Sequence, residues 1–259
     1  MLTNIASPQS KLHVLIPFLA LLALLTASAV AMAQDAKPIF DGRLELKATK
    51  LSDAEEALMK DNILPAARKA WHKAERDQDC MTDFKSEALD AAPGSFTKPK
   101  AEQKAILYKF CVIGQDQALN GIAILENGAL VAHIVYEGDE DYAIGALPDI
   151  NGNGLSEILL ATGGTNQGIT WQTISILEIH GTEITKFGHT ETSSDDCGIN
   201  EKSGKTKAQK ILVKAGPTPA FFHETYISPG CAGGNTWRKS GVMAPLTLEE
   251  DSITYDFIK

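Results

Sequence analysis

The sequence has few basic residues and no basic cluster. Lys and Arg number 24 against 33 Asp and Glu, which gives a formal net charge of −9 at pH 7. Nucleic acids and anionic membrane surfaces attract patches of Lys and Arg, so we expect this acidic chain to bind neither of them. We expect its partner to be a protein or a glycan ligand that the sequence does not identify.

The motifs of several enzyme classes are also missing. There is no C-x-x-C and no G-x-S-x-G in the chain. His223-Glu224 does not continue into a zinc-protease motif, because the second histidine would be at Ile227. Gly163–Thr170 has the glycine spacing of a phosphate-binding loop, but Ile169 stands in place of the lysine. These absences favour a non-enzymatic binding or interaction module, with an extracellular hydrolase lacking a recognisable catalytic motif as the alternative.

Long apolar runs are confined to the N-terminus. Lys11 precedes the apolar run Val14–Leu25, and the small-residue site Ala31-Met32-Ala33 follows it. This pattern predicts a signal peptide over residues 1–33 and a secreted or periplasmic protein. An uncleaved anchor over Val14–Val30 is the alternative, at the short limit for a membrane span. No later run is long enough to cross a bilayer, so we expect no membrane span after cleavage.

Cysteine is scarce, and all four residues follow the predicted signal peptide: Cys80, Cys111, Cys197 and Cys231. An even number of cysteines in an oxidising compartment predicts two disulfides. Sequence alone does not choose between the possible pairings. We favour Cys80–Cys111 and Cys197–Cys231, because each pair lies within one organisational block. Each bond would close a loop of some thirty residues and stabilise the fold by roughly 3–4 kcal/mol.

The organisation of the chain changes near residue 105. Residues 34–104 are predicted to form a helical N-terminal segment, in which Ser52 and Glu55 have the spacing of a capping box and Pro65 separates two helices. Residues 105–259 are rich in strand formers and in turn signals, and Asn127-Gly128 between two apolar runs predicts a hairpin. The predicted fold class is α+β and mostly β: an antiparallel β-domain, propeller-blade-like or a sandwich, after a short helical segment.

Other turns and loops are predicted from glycine and polar residues. We expect the strand Glu157–Thr162 to end at Gly163-Gly164, and Thr190–Lys207 to be a loop. Two Gly-rich stretches that end in tryptophan, Gly163–Trp171 and Gly230–Trp237, are candidates for exposed recognition loops, with plain connectors as the alternative.

The most specific stretch of the chain is Asp149-Ile150-Asn151-Gly152-Asn153-Gly154-Leu155-Ser156-Glu157. It places oxygen-bearing side chains at positions one, three and five, a glycine at six and a carboxylate at nine. Hard cations such as Ca²⁺ take roughly six to eight oxygen ligands, and glycine lets a backbone fold closely around an ion. The spacing predicts a metal-stabilised loop. A tight Asn-Gly turn without an ion is the alternative.

With the strands predicted before and after it, this stretch resembles a single FG-GAP or VCBS-type repeat over about twenty residues. The resemblance implies that a structural Ca²⁺ is coordinated by Asp149, Asn151, Asn153, the carbonyl of Leu155, and Glu157. The sequence contains no second copy of the loop. A complete propeller needs several blades, so we expect a single embedded unit.

Overall fold

The computed structural model describes residues 35–44, 46, 49–73, 87–114, 117–200, 204–229 and 236–258. The predicted signal peptide over residues 1–33 lies outside the described residues, as do Cys80 and Cys231. Within these ranges no helix is both long and apolar enough to span a membrane. The described chain is mostly antiparallel β-structure in two sheets, with one short helical stretch ahead of most of it. The predicted fold class is thereby confirmed, as a sandwich-like arrangement.

The smaller sheet has five strands in the order β13-β5-β4-β3-β2. Four consecutive strands form a meander, and the last strand of the protein returns to pair with β5. Their bounds are β2 Glu87–Gly94, β3 Gln103–Gly114, β4 Gln117–Glu126, β5 Ala129–Asp139 and β13 Tyr255–Phe257.

The larger sheet has eight strands, seven of which follow one another from β6 to β12. The first strand of the chain pairs with β10 and completes it. The bounds are β1 Lys37–Asp41, β6 Asp141–Ala146, β7 Ile158–Asn166, β8 Ile169–His180, β9 Glu183–Asp195, β10 Lys205–Lys214, β11 Ala220–Pro229 and β12 Arg238–Leu246.

The helical stretch consists of α1 (Asp53–Leu58), a π-helical turn (Met59–Ile63) and α2 (Leu64–Lys73). The predicted capping box is present, since Ser52 Oγ accepts from the Glu55 N–H and the Glu55 side chain accepts from the Ser52 N–H. Pro65 has no N–H to donate to the preceding turn. The wider π turn lies immediately before it, so the helix continues past the proline where the sequence predicted a division.

Three layers of apolar side chains hold these elements together. Met59, Ile63, Ala67 and Trp71 recur every four residues and pack on the outer face of the five-stranded sheet. A second cluster fills the space between the sheets, and a third covers the other face of the larger sheet. Strands from both halves of the larger sheet contribute residues to that third cluster. Strand β3 is buried on both faces, which explains why its sequence from Ala105 to Ile113 is apolar except at Lys109.

Several predicted boundaries differ from the structure. Residue 105 is not a boundary, because β1, β2 and the start of β3 precede it and helix occupies only residues 53–73 of the segment 34–104. Strand β7 does not end at Gly163-Gly164. A Cβ on Gly163 would lie 2.7 Å from the Trp171 carbonyl oxygen, so this glycine permits close strand pairing and does not end the strand. The turn lies later, at Gln167-Gly168, where both φ angles are positive.

Two further sequence predictions concern the turn at Asn127-Gly128 and the end of β9. The Asn127-Gly128 hairpin turn is confirmed, with φ angles of 51° and 77°. Residues 190–195, predicted as part of a loop, extend β9, because they pair with β8.

Gly121 on β4 leaves room for the ring of Tyr108, and its replacement by alanine should destabilise the protein. A Cβ there would lie 2.1 Å from Tyr108 Cζ. That ring is fully buried and its hydroxyl is 2.5 Å from His133 Nε2, so it has no space to retreat. We expect Gly121→Ala to lower the free energy of unfolding by about 1–3 kcal/mol in urea denaturation. Gly145→Ala is the control, since its Cβ would be 3.7 Å from the nearest atom, Leu159 Cβ. Equal stability of the two variants would contradict this packing.

Candidate functional site

The loop Asp149–Glu157 connects β6 to β7, and the Asp149 carboxylate organises it. Asp149 Oδ1 accepts hydrogen bonds from the N–H groups of Gly152 (2.6 Å) and Asn153 (3.1 Å), and Oδ2 accepts one from Gly154 (2.8 Å). Gly152 and Gly154 have φ angles of 85° and 89°, which favour glycine over residues with a Cβ. The first position of the predicted motif therefore closes the loop from within.

The two asparagines face a carboxylate that lies outside the loop. Asn151 Nδ2 donates to Glu178 Oε2 at 2.9 Å, and Asn153 Nδ2 lies 2.9 Å from both oxygens of Glu178. Their own oxygens accept from backbone N–H groups inside the loop. Glu178 is on β8 and is only 2% exposed. The loop and β8 are thus joined by two amide–carboxylate contacts.

Glu157 closes the far end of the loop. It is fully buried, and both of its carboxylate oxygens accept from the Ile150 N–H, at 3.2 and 3.1 Å. Burial raises the pKa of Glu157 to about 7, and the negative charges of Glu178 and Asp149 act in the same direction. A positive charge at this place would relieve that repulsion.

The structure therefore brings together all the residues predicted for the metal loop: Asp149, Asn151, Asn153, Leu155 and Glu157. Sequence reasoning missed Glu178. The signal that could have found it is a single carboxylate in the apolar strand segment Ile174–Ile179. A charged residue is rarely fully buried without a partner, so its position in a buried strand is informative.

The donor atoms fit a hard cation in their chemistry. Carboxylate and amide oxygens are the ligands that Ca²⁺ takes, and a carboxylate oxygen that accepts one hydrogen bond keeps further lone pairs. In the described part of the chain, no three His, Cys, Asp or Glu side chains are grouped closely enough to hold a metal ion by themselves. The asparagine oxygens accept from N–H groups of the loop and the Nδ2 groups donate to Glu178, so coordination of an ion beside Glu178 would need both asparagine side chains to reorient.

A second concave feature lies between the two sheets. It is a cleft of about 620 Å³, lined by residues of β4–β9, by residues 251–254 and by Tyr255 of β13. Tyr136 and Tyr255 are cross-strand neighbours with ring centroids 4.8 Å apart. Tyr136 donates to Asp141 Oδ2 at 2.5 Å, and Tyr255 donates to Asp251 Oδ2 at 3.0 Å. The paired tyrosines thus hold two buried aspartates at the cleft.

Asp141 is the unusual group of this cleft. Burial raises the pKa of its carboxyl to about 7, against the lowering effect of the Tyr136 hydrogen bond, and the nearby charges of Asp139 and Asp251 raise it further. Lys109 lowers it slightly, but the Lys109 ammonium bonds to Glu140 at 2.7 Å.

The histidines show no nucleophile–base pair at this cleft. His189 lies there at 3.5 Å from Glu249, with its side chain 34% exposed. His133 is buried against Tyr108, and burial lowers the pKa of its imidazole to about 4. His223 bonds to Gln209 through Nδ1. Among the described residues of the cleft, no Ser or Thr hydroxyl bonds to a histidine.

Two other sequence predictions are only partly covered by the described residues. Neither Cys111 nor Cys197 is a free thiol. Because Cys80 and Cys231 lie outside the described ranges, the pairings Cys80–Cys111 and Cys197–Cys231 stay predictions. Of the two candidate recognition loops, Gly163–Trp171 forms the tip of the β7–β8 hairpin, and most of Gly230–Trp237 lies outside the described residues.

The raised pKa of Asp141 makes stability depend on pH in a defined window. Below about pH 4 the carboxyl is protonated in both states. Between about pH 4 and 7 it ionises only in the unfolded chain, so the free energy of unfolding falls as pH rises. Asp141→Asn lacks this titration. We expect the stability of the natural protein relative to the variant to fall by about 3 kcal/mol from pH 5 to pH 8 in urea denaturation. Glu157 is present in both proteins, so its contribution cancels in this difference. A stability difference that does not change with pH would contradict the raised pKa of the buried Asp141 carboxyl.

No protein-family model, curated protein or solved structure matches this chain. The geometry of the Asp149–Glu157 loop and of the cleft between the sheets is therefore the basis on which a function can be proposed.

Proposed function

We propose that this protein is a secreted or periplasmic, non-enzymatic binding or interaction module whose Asp149–Glu157 loop is stabilised by one Ca²⁺. The observation that carries the calcium proposal is the arrangement of Asp149, Glu157 and Glu178 around two asparagines. Among the described residues, no Lys, Arg or His forms an ion pair with any of these carboxylates. Buried carboxylates without a cation are unfavourable, and a bound Ca²⁺ would neutralise them.

The residues that would hold the ion are Asp149, Asn151, Asn153, the carbonyl of Leu155, and Glu157, with Glu178 added from β8. Bound Ca²⁺ would supply positive charge and fix the conformation of the loop. A third carboxylate favours tighter binding than the loop residues alone would give, because affinity rises with ligand charge.

The position of the loop explains why fixing it would matter for the whole fold. Ser156 N–H donates to the Ser95 carbonyl at 2.9 Å, and Ser95 N–H donates to Ser156 Oγ at 3.1 Å. The Gly216 N–H donates to the Ile150 carbonyl at 2.8 Å. The loop thus contacts the β2–β3 connection and the β10–β11 turn, so an ion in it would stabilise the junction of the two sheets.

The partner of such a module would be a protein or a glycan, and the predicted disulfides would support the fold in an oxidising compartment. The alternative, an extracellular hydrolase, draws on one observation, the carboxylates Asp141 and Asp251 in a concave cleft. Each of them is tied to a tyrosine, and the described residues of the cleft include no activated nucleophile. A non-enzymatic binding module therefore explains these observations better than a hydrolase does.

Calcium should raise the stability of the oxidised protein, and the rise should depend on Asp149 and Glu178. An ion that binds only the folded state adds about 2.7 kcal/mol at 100 times its dissociation constant. We expect thermal unfolding to shift upward when EDTA is replaced by millimolar Ca²⁺. Asp149→Asn and Glu178→Gln, which keep the shape of each side chain, should lose most of this shift.

Glu183→Gln is the matched control, because it makes the same charge change on an exposed residue outside the loop. It should keep the full calcium shift. Absence of a shift in the natural protein would reduce the loop to a turn stabilised by hydrogen bonds. An equal shift in both loop variants would show that calcium binds elsewhere.

A further inference from the structure

We propose that Asn127 is a site of spontaneous chemical modification, at which the side-chain amide is lost and the residue becomes aspartate or isoaspartate. The reaction needs only water, and it goes beyond the proposed calcium loop. Asparagine is a chemically labile residue. It reacts most easily before glycine, because glycine has no side chain to hinder attack by its backbone nitrogen. The chain contains four such pairs: Asn120-Gly121, Asn127-Gly128, Asn151-Gly152 and Asn153-Gly154.

The reaction joins two atoms of neighbouring residues. A base from solvent removes the proton of the Gly128 N–H, and the nitrogen attacks Asn127 Cγ. The new N–Cγ bond closes a succinimide ring, the Cγ–Nδ2 bond breaks, and the amide leaves as ammonia with a proton taken from water. Water then opens the ring. Cleavage of the N–Cγ bond gives aspartate, whereas cleavage of the bond from the same nitrogen to the main-chain carbonyl carbon gives isoaspartate.

The turn at Asn127-Gly128 leaves both reacting groups open. Both residues are exposed, and a Cβ on Gly128 would have no atom within 4 Å, so water and base reach the backbone nitrogen. In the described part of the chain, neither the Asn127 side chain nor the Gly128 N–H forms a hydrogen bond. The side chain is therefore free to rotate until its Cγ faces the glycine nitrogen.

Burial protects the pair Asn120-Gly121. Asn120 is 0% exposed, and its Nδ2 donates to the Asp139 carbonyl at 2.8 Å. The pair lies within β4, between β3 and β5, and the Tyr108 ring packs directly against Gly121. The asparagine has no room for ring closure, and solvent base has no access to the backbone nitrogen.

Hydrogen bonds protect the two asparagines of the loop. The nitrogens that would attack belong to Gly152 and Gly154, and each donates its hydrogen to the Asp149 carboxylate, at 2.6 and 2.8 Å. The two amides that would be attacked donate to Glu178. Ring closure at either asparagine would require both kinds of contact to break. Asp149 and Glu178 thus preserve the neutral amides of the loop.

The test is peptide mapping by tandem mass spectrometry after the whole disulfide-bonded protein has been kept for several days at mildly alkaline pH. EDTA is present, so that the result does not depend on calcium. The reference is the same protein unfolded in urea, in which all four pairs should react at similar rates. In the folded protein we expect Asn127 to lose its amide roughly tenfold faster, or more, than the other three asparagines, because their reaction needs local opening of the structure.

Asp149→Ala tests the protection of the loop. The variant frees the N–H groups of Gly152 and Gly154, so both loop asparagines should become reactive. Asn120 should stay unreactive, which checks within the same sample that the variant is folded. Asp53→Ala is the matched control, because it makes the same substitution at an exposed residue of α1. It should leave the loop amides intact.

Two results in the natural folded protein would overturn the proposal. One is an Asn127 that keeps its amide as long as the buried Asn120 does. The other is loss of the amide from Asn151 or Asn153 before Asn127. This comparison is decisive whether or not the Asp149→Ala variant folds. Unreactive loop asparagines in a folded Asp149→Ala variant would overturn the protective role of Asp149.

Discussion

The buried carboxylate of Asp90 joins three segments of the chain, and both candidate sites depend on its position. Its Oδ1 accepts from the N–H groups of Thr49 (2.6 Å) and Ala91 (2.7 Å), and its Oδ2 accepts from Ile144 (3.0 Å). Thr49 belongs to the segment before α1, Ala91 to β2, and Ile144 to β6. Strands β2 and β6 are edge strands of different sheets. This carboxylate therefore supplies the polar contact where the two edges meet, beside the apolar core between the sheets.

Strand β6, which Asp90 holds at its middle, carries one candidate site at each end. Asp141 is its first residue and lines the cleft, whereas the loop Asp149–Glu157 follows its last residue. The pairing of β6 with β7 is irregular between Asp141 and Ala143. Irregularities of this kind re-aim side chains, and here Asp141 is buried while Tyr142 is exposed. The six residues of this strand thus fix the relative positions of the cleft and the loop.

The features that sequence predicted well are those set by residues near one another in the chain. The Asn127-Gly128 turn and the Ser52–Glu55 capping box each depend on a few neighbouring residues. Glycine residues predicted the ends of strands less well, because Gly163 permits close strand pairing and does not end β7. Its role depends on the carbonyl of Trp171 on the neighbouring strand, which local sequence does not show.

The parts of both sites that sequence missed come from distant segments. Glu178 reaches the loop only because β7 and β8 pair with Ile158 opposite Leu177. Asp141 and Asp251 lie far apart in sequence and meet because Tyr255 pairs directly with Tyr136 across β13 and β5. No local sequence pattern predicts either of these strand-pairing registers. For Glu178, the one hint in the sequence is that a single acidic residue interrupts an apolar strand.

The loop and the cleft share an excess of negative charge but differ in how closely their acceptors are placed. The loop offers amide, carboxylate and backbone oxygens within nine consecutive residues and one adjacent strand, a compact set suited to a bare ion. The cleft spreads its carboxylates and hydroxyls around about 620 Å³, a space that a single ion would leave mostly to water. The size and spacing of the acceptors, more than their charge, therefore favour a metal ion at the loop and not at the cleft.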